Sequence, residues 1–162
     1  MTTVLERPPV VDRRNRLIGV ATFAAGCFWG VEQAFRTVPG VIETTAGYTG
    51  GNLRRPTYDQ VATGTNGHVE AVRVEFDPAR VSYEELLEIF LQLHDPTRPR
   101  LGRRSRYRSA IFVHSREQEQ AAHAALEAQR AVVDRPILTE IRRAPLFYRA
   151  EERHQRYLER RS

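Results

Sequence analysis

Apolar and polar positions change period repeatedly along this chain, and each change marks an element. Residues 17–25 form an almost continuous apolar run that predicts a strand. Phe28, Val31, Phe35 and Val38 then recur three, four and three apart, the spacing of one helix face, and Pro39-Gly40 stops them. A second strand is expected over residues 41–48, leaving through the turn Tyr48-Thr49-Gly50-Gly51-Asn52 into a polar loop as far as Pro56. Residues 56–61 suit one or two helical turns, with Gly64 as the break. From His68 to Phe76 the period is two: His68, Glu70, Val72, Val74 and Phe76 share one face, Val69, Ala71, Arg73, Glu75 and Asp77 the other. Asp77-Pro78 ends this strand, and Ser82-x-x-Glu85 reads as a capping box for a helix through Leu93, closed by His94-Asp95-Pro96. An arginine-rich loop leads to a short strand at 109–114, and Ser115-x-x-Gln118 caps a long alanine-rich helix to about 133. A strand at 137–142, an aromatic turn at 145–148 and a final helix at 150–160 complete the pattern. Strands alternating with helices imply an α/β or α+β sandwich, one domain over residues 17–162 behind a polar, flexible arm, residues 1–16.

Length and composition narrow this picture. A chain of 162 residues buries about two-thirds of its unfolded surface as one domain, so neither a disulfide nor a structural metal is required. Its single cysteine cannot form an internal disulfide. No apolar run is long enough to span a membrane, and the first residues lack the apolar core of a secretion signal, so a reducing, cytoplasmic location is expected. The net charge is +5 and all 25 basic residues are arginine. Six of them lie within residues 98–108, as a solvated, anion-steering loop or one that binds phosphate or an acidic partner. No nucleic-acid-binding module is visible and few aromatics are interleaved with the charge, so no nucleic-acid partner is expected. The five histidines, at 68, 94, 114, 123 and 154, show no metal-ligand spacing.

The candidate chemistry centres on Gly26-Cys27-Phe28-Trp29-Gly30, which holds the only cysteine and the only tryptophan. The pattern puts Cys27 at a strand-to-helix junction, where unpaired N–H groups and the positive end of the helix dipole favour a thiolate, so the thiol is expected to ionise more easily than a free one. Trp29 lies off the apolar stripe of the helix and could wall a small apolar pocket. A lone cysteine in a globular domain is more often a small buried hydrophobe than a catalyst; the junction position and the flanking Gly26 and Gly30, which leave room for a ligand, favour the catalytic reading here. Glu70 shares the apolar face of its strand. A carboxyl held among apolar groups resists ionisation and can stay protonated near neutrality, ready to donate a proton; at the strand's edge it would instead be solvated or paired with an arginine.

Gly26-Cys27-Phe28-Trp29-Gly30 opening a helix resembles the signature of the A-type peptide methionine sulfoxide reductases. The resemblance runs from about residue 21 to 158 and takes in Pro39-Gly40-Val41, Gly47-Tyr48 with Gly50-Gly51, Pro56-Thr57-Tyr58, Gly67-His68-Val69-Glu70-Ala71-Val72, His94-Asp95-Pro96-Thr97, Tyr107-Arg108-Ser109-Ala110-Ile111 and His154-Gln155. It implies an α+β fold, a two-layer sandwich with a mixed sheet and a ferredoxin-like core. It also implies reduction of (S)-methionine sulfoxide, a protein-repair activity under oxidative stress. Cys27 would attack sulfur, Glu70 would protonate the departing oxygen, Phe28 and Trp29 would line the methyl pocket, and Tyr58 and Tyr107 would hold the sulfoxide oxygen. Release of methionine leaves Cys27 as sulfenic acid. Many relatives resolve this with a recycling cysteine. This sequence has none, so an external thiol (thioredoxin, a glutaredoxin-like protein or a small thiol) is the expected partner, with no cofactor or metal.

One interval departs from the resemblance. Between His-Asp-Pro-Thr and Tyr-Arg-Ser-Ala the family usually carries a Gly-Asn-Asp-x-Gly-Thr loop whose aspartate orients the site, whereas residues 98–106 here read Arg-Pro-Arg-Leu-Gly-Arg-Arg-Ser-Arg. The placement of Tyr107, the charge near Cys27 and the substrate range all turn on this segment. Two other functions stay open on the sequence: a relative acting on another small or anionic sulfoxide, and a catalytically weak protein that binds oxidised methionine segments.

Overall fold

A computed structural model describes residues 10–11 and 14–161. Of the arm expected at residues 1–16, residues 1–9 and 12–13 lie outside the described residues; β1 (Val10–Val11) pairs antiparallel with the start of β2 (Leu17–Ala25). Strand β2 runs through the middle of a sheet whose other members are β3 (Val41–Thr49), β4 (Val69–Phe76), β5 (Ser109–Val113), β6 (Glu140–Arg143) and β7 (Phe147–Arg149). The order is β6-β5-β2-β4-β3-β7. The β5/β6 pair is parallel and the neighbours of β2, β3 and β4 are antiparallel, which makes the sheet mixed and the fold α+β. The apolar run predicted for residues 17–25 is continuous because β2, flanked by β4 and β5, is covered on both faces from Ala21 to Ala25.

Helices α1 (Phe28–Arg36), α3 (Tyr83–Gln92) and α4 (Arg116–Arg130) fill the larger core. Helix α1 buries Phe28, Val31 and Phe35, the stripe read from their spacing. Phe35 stacks on Phe23 of β2 at 5.1 Å and Phe90 of α3 lies 5.3 Å from the same ring. Burying aromatics of this size stabilises by roughly 1.5–3 kcal/mol each. Ser82 and Glu85 form the predicted capping box of α3, and Ser115 caps α4. The alternation in β4 holds: Val72, Val74 and Phe76 join the larger core, while Val69 and Ala71 pack with Ala24, Ala110 and Phe112 on the other face. Among the described residues no helix is long and apolar enough to cross a membrane.

Several stretches differ from their sequence reading: the strand expected at 137–142 spans Glu140–Arg143, and the aromatic turn expected at 145–148 runs into strand β7. The short helix α2 (Tyr58–Ala62) starts two residues later than expected, because Thr57 and Gln60 form a capping box. The arginine-rich segment is a 3-10 turn (Gly102–Tyr107), and two of its arginines bond inward: Arg106 Nη1 donates to Ala62 O at 3.1 Å and Arg108 Nη2 to Gly67 O at 3.1 Å. The final helix predicted at 150–160 is broken. A 3-10 turn (Glu152–His154) is followed by extended Gln155, left-handed Arg156 (φ 51) and the one-turn α5 (Tyr157–Arg160). The break answers tertiary demands that outweigh local helix propensity. Gln155, 3% exposed, accepts from Ala46 N and donates to Ala46 O and Ala150 O, each at 2.9 Å, while Arg156 N donates to Glu32 Oε1 at 2.7 Å.

Candidate functional site

The end of β2 turns into α1 through Gly26, whose φ of +100 only glycine adopts without strain. Cys27 is the N-cap of α1 and is exposed, with its carbonyl accepting from Val31 N at 3.4 Å. A Cβ built on Gly26 or Gly30 meets nothing within 4 Å.

Glu70 reaches the same helix start from the sheet. Strand β2 pairs with β4 only from Val72 onward, and the preceding β4 residues pair with β3, placing Glu70 opposite Tyr48 and beneath the first turn of α1. Its side chain is 1% exposed, and Oε1 accepts from Phe28 N at 3.1 Å. Burial raises its pKa to about 7; the Phe28 N–H and the Arg106 guanidinium, whose Nε lies 3.5 Å from Oε2, limit the rise. The alternation of β4 anticipated this burial, and the segment of residues 102–107 supplies the arginine.

Cys27 departs from its sequence expectation. Its pKa is raised, because desolvation by the surrounding protein, helped by the charge of Glu70, exceeds the lowering by the Trp29 and Gly30 N–H groups and by Arg106. The helix start does favour an anion, as its position implied. Two acidic groups share that start, and the ionised carboxylate opposes the thiolate beside it.

Tyr58 and Tyr107, the other two polar residues singled out in the sequence, both border this centre. Each hydroxyl is held above its ordinary value, first by desolvation, and each feels the charges of Glu70, Arg106 and Cys27. Arg106 Nη2 donates to the Tyr107 hydroxyl at 2.7 Å, and the guanidinium carbon lies 4.4 Å from that ring's centre. The departure at residues 98–106 thus leaves Tyr107 beside Glu70, held by an arginine. Phe28 is nearly sealed in, between Tyr48 at 5.7 Å and His154 at 5.4 Å, while Trp29 is half-buried and stacks on Tyr157 at 3.8 Å.

Other residues support the site without having been assigned a role in it from sequence. Glu151 accepts from the Tyr48 hydroxyl at 2.7 Å and from Tyr58 N at 2.9 Å. Burial works to raise its pKa, but these bonds outweigh it and the carboxylate is held below its usual range. His154, 4% exposed, stacks on Tyr58 at 4.6 Å and accepts at Nδ1 from the Trp29 indole at 3.0 Å. Burial lowers its pKa, so the ring is neutral and its hydrogen sits on Nε2, which has no partner among the described residues. The only sequence sign of these contacts was the His154-Gln155 pair.

A single thiol at a helix start, next to a buried carboxyl poised near neutrality, is equipment suited to thiol-based redox chemistry. Comparison with known proteins makes this specific. Residues 19–162 match the family described as peptide methionine sulfoxide reductase. The peptide methionine sulfoxide reductase MsrA of Methanoculleus marisnigri is 53% identical over 148 residues, 87% of this chain and 89% of that protein. That of Geobacter sulfurreducens is 51% identical over 154 residues, 91% and 94%. Among solved structures, reduced Mxr1 from Saccharomyces cerevisiae superposes with a TM-score of 0.84 at 27% identity, covering 98% of this chain and 92% of that one. Methionine sulfoxide reductase A of Corynebacterium diphtheriae gives 0.79 at 31%, covering 99% and 85%. Mxr1 in complex with Trx2 gives 0.65 at 26%, covering 91% and 88%. The chain belongs to the peptide methionine sulfoxide reductase family.

Proposed function

We propose that this chain reduces the S epimer of methionine sulfoxide, in proteins or free, by a one-cysteine cycle. The observation that carries the reading is the shared start of α1, where an accessible thiol and a buried acid with a pKa of about 7 stand together. Cys27 attacks the sulfoxide sulfur as thiolate while Glu70 donates its proton to the oxygen. The attack forms a transient S–S bond and the S–O bond of the substrate breaks; the hydroxide released attacks the Cys27 sulfur, the S–S bond breaks, methionine leaves reduced by two electrons, and Cys27 holds the oxygen as sulfenic acid. The proton released by the thiol returns the centre to its starting balance. Tyr58 and Tyr107 donate to the sulfoxide oxygen, and Trp29 with the edge of Phe28 receives the methyl group.

With one cysteine in the sequence, the second thiol comes from outside. It attacks the sulfenic sulfur, releasing water and leaving a mixed disulfide, which a further thiol reduces. Solution of the structural neighbour Mxr1 as a complex with Trx2 supports thioredoxin in this role. A cycle that depends on external thiols fits a reducing cytoplasm. Apart from the short α2 between β3 and β4, the succession β2-α1-β3-β4-α3-β5 with spatial order β5-β2-β4-β3 supports reading the centre of the sheet as a ferredoxin-like core.

Turnover of capped (S)-methionine sulfoxide with dithiothreitol tests the reading. One equivalent of sulfenic acid trapped by dimedone after a single turnover, together with loss of all reduction in Cys27→Ser, is the expected result. Binding of oxidised peptides with no turnover by the native chain would replace it with a binding role.

A further inference from the structure

Beside the thiol centre lies an open groove of about 670 Å³, most of whose lining takes no part in the steps above. It shares Trp29, Tyr58 and His154 with the centre and is continued by Tyr157 and by arginines 153, 160 and 161. Its wall is aromatic: Tyr157 lies flat on Trp29 with ring planes 7° apart, and Tyr58 stacks on His154. Two guanidinium groups ride on this wall, Arg153 at 5.7 Å from the Tyr58 ring centre and Arg161 at 4.3 Å from that of Tyr157. Arg160 is pinned by Nη2 to Glu152 O and Arg153 O. Among the described residues no carboxylate lies within 4.0 Å of these three guanidinium groups, and the sole acid lining the groove is Asp59. An arginine stacked on an aromatic face keeps the edge of its plane available, and that edge matches a carboxylate.

We propose that this groove is a subsite for acidic side chains flanking the oxidised methionine, so that the substrates favoured by this chain are Asp- and Glu-rich segments of polypeptide. The inference rests on the sulfoxide reductase reading. An extended peptide advances about 3.3 Å per residue, so a chain whose sulfoxide sits against Trp29 brings its next one to three side chains under Arg153 and Arg161. Charge decides the occupant: three cations around one acid repel a basic segment and leave a neutral one without partners.

The test uses the full chain with dithiothreitol as reductant and five-residue capped peptides carrying a central (S)-methionine sulfoxide flanked on both sides by Glu, Gln or Lys. Capped methionine sulfoxide amide, too short to enter the groove, is the reference. The expected kcat/KM is about five-fold higher for the Glu than for the Gln peptide, lower again for Lys, with the difference shrinking as NaCl rises. Arg153→Gln/Arg161→Gln brings the Glu and Gln peptides together, and Arg161→Glu shifts preference toward Lys, which a fold defect would not do. Equal rates for the three peptides, with the reference turned over normally, overturn the subsite and leave the reductase reading standing. No turnover of reference or peptides overturns that reading instead. A peptide preference that survives both variants, or variants that impair only thioredoxin-supported turnover, also overturns the subsite, the latter in favour of a docking site for the reductant.

Discussion

Glu70, Cys27 and Arg106 form one proton-holding unit, and its pH behaviour follows from their arrangement. In the proposed mechanism the reacting form has Glu70 protonated and Cys27 ionised, which is the same proton count as the ionised acid beside the protonated thiol. With Glu70 at about 7 and Cys27 raised above the ordinary thiol value, that count dominates between the two. The kcat/KM of the native chain is therefore expected to climb through about pH 7, level off, and fall once the thiol ionises in bulk. Glu70→Gln should lower kcat/KM by roughly 10²–10³-fold and abolish the fall at high pH. It should also lower the thiol pKa, read from the pH dependence of alkylation by iodoacetamide, because the charge of Glu70 contributes to the rise. Arg106→Gln should move both limbs to higher pH, since the guanidinium lowers both groups. The burial of Glu70 was readable from period-two alternation, a local pattern. The direction of the Cys27 shift was not, because it is set first by desolvation that only the folded chain supplies and then by the charge of Glu70 on β4, far away in sequence.

At the scale of elements, those with strong periods and caps were legible: β2, α1, α3, α4 and the face assignment of β4 all follow from spacing. Two failures have one cause. β7 has only three residues, too few for alternation, and exists because the exposed edge of β3 accepts it. The chain from Ala150 to Arg160 has helical composition but spends Gln155 on the backbone of β3 and Arg156 N on Glu32. Side-chain bonds to a strand more than 100 residues away leave no periodic trace. Gln155→Ala strips buried partners from Ala46 and Ala150, so unfolding in urea should show a loss of about 2–4 kcal/mol. Because the adjoining His154 underlies Trp29 and Tyr58, turnover should fall beyond what the lost stability explains, visible at temperatures where the variant is fully folded.

For the whole molecule, the element pattern left α/β and α+β open and the family resemblance implied α+β with a mixed sheet; strand order depends on non-local pairing that spacing does not encode. The sheet brings the acid under the helix start at a thermodynamic cost. Glu70 is held at about 7 against 4.5 for the free group, so the folded chain retains a proton there that the unfolded chain has released. Stability is therefore undiminished below about pH 4.5 and declines as pH rises through about 7, by about 3 kcal/mol for a difference of about 2.5 pH units. Glu70→Gln removes this decline. Its melting temperature relative to the native chain should rise between pH 4.5 and 8 by several degrees; a difference independent of pH would mean that Glu70 is ionised at no such cost.

The indole at position 29 is the only one in the chain; it donates to a neutral imidazole and lies flat on a phenol ring. Light emitted by this protein on ultraviolet excitation therefore comes chiefly from the wall of the reacting centre. In the proposed cycle, arrival of a sulfoxide, oxidation of the neighbouring sulfur and departure of the product are each expected to change that native optical signal, with no dye attached and no residue changed.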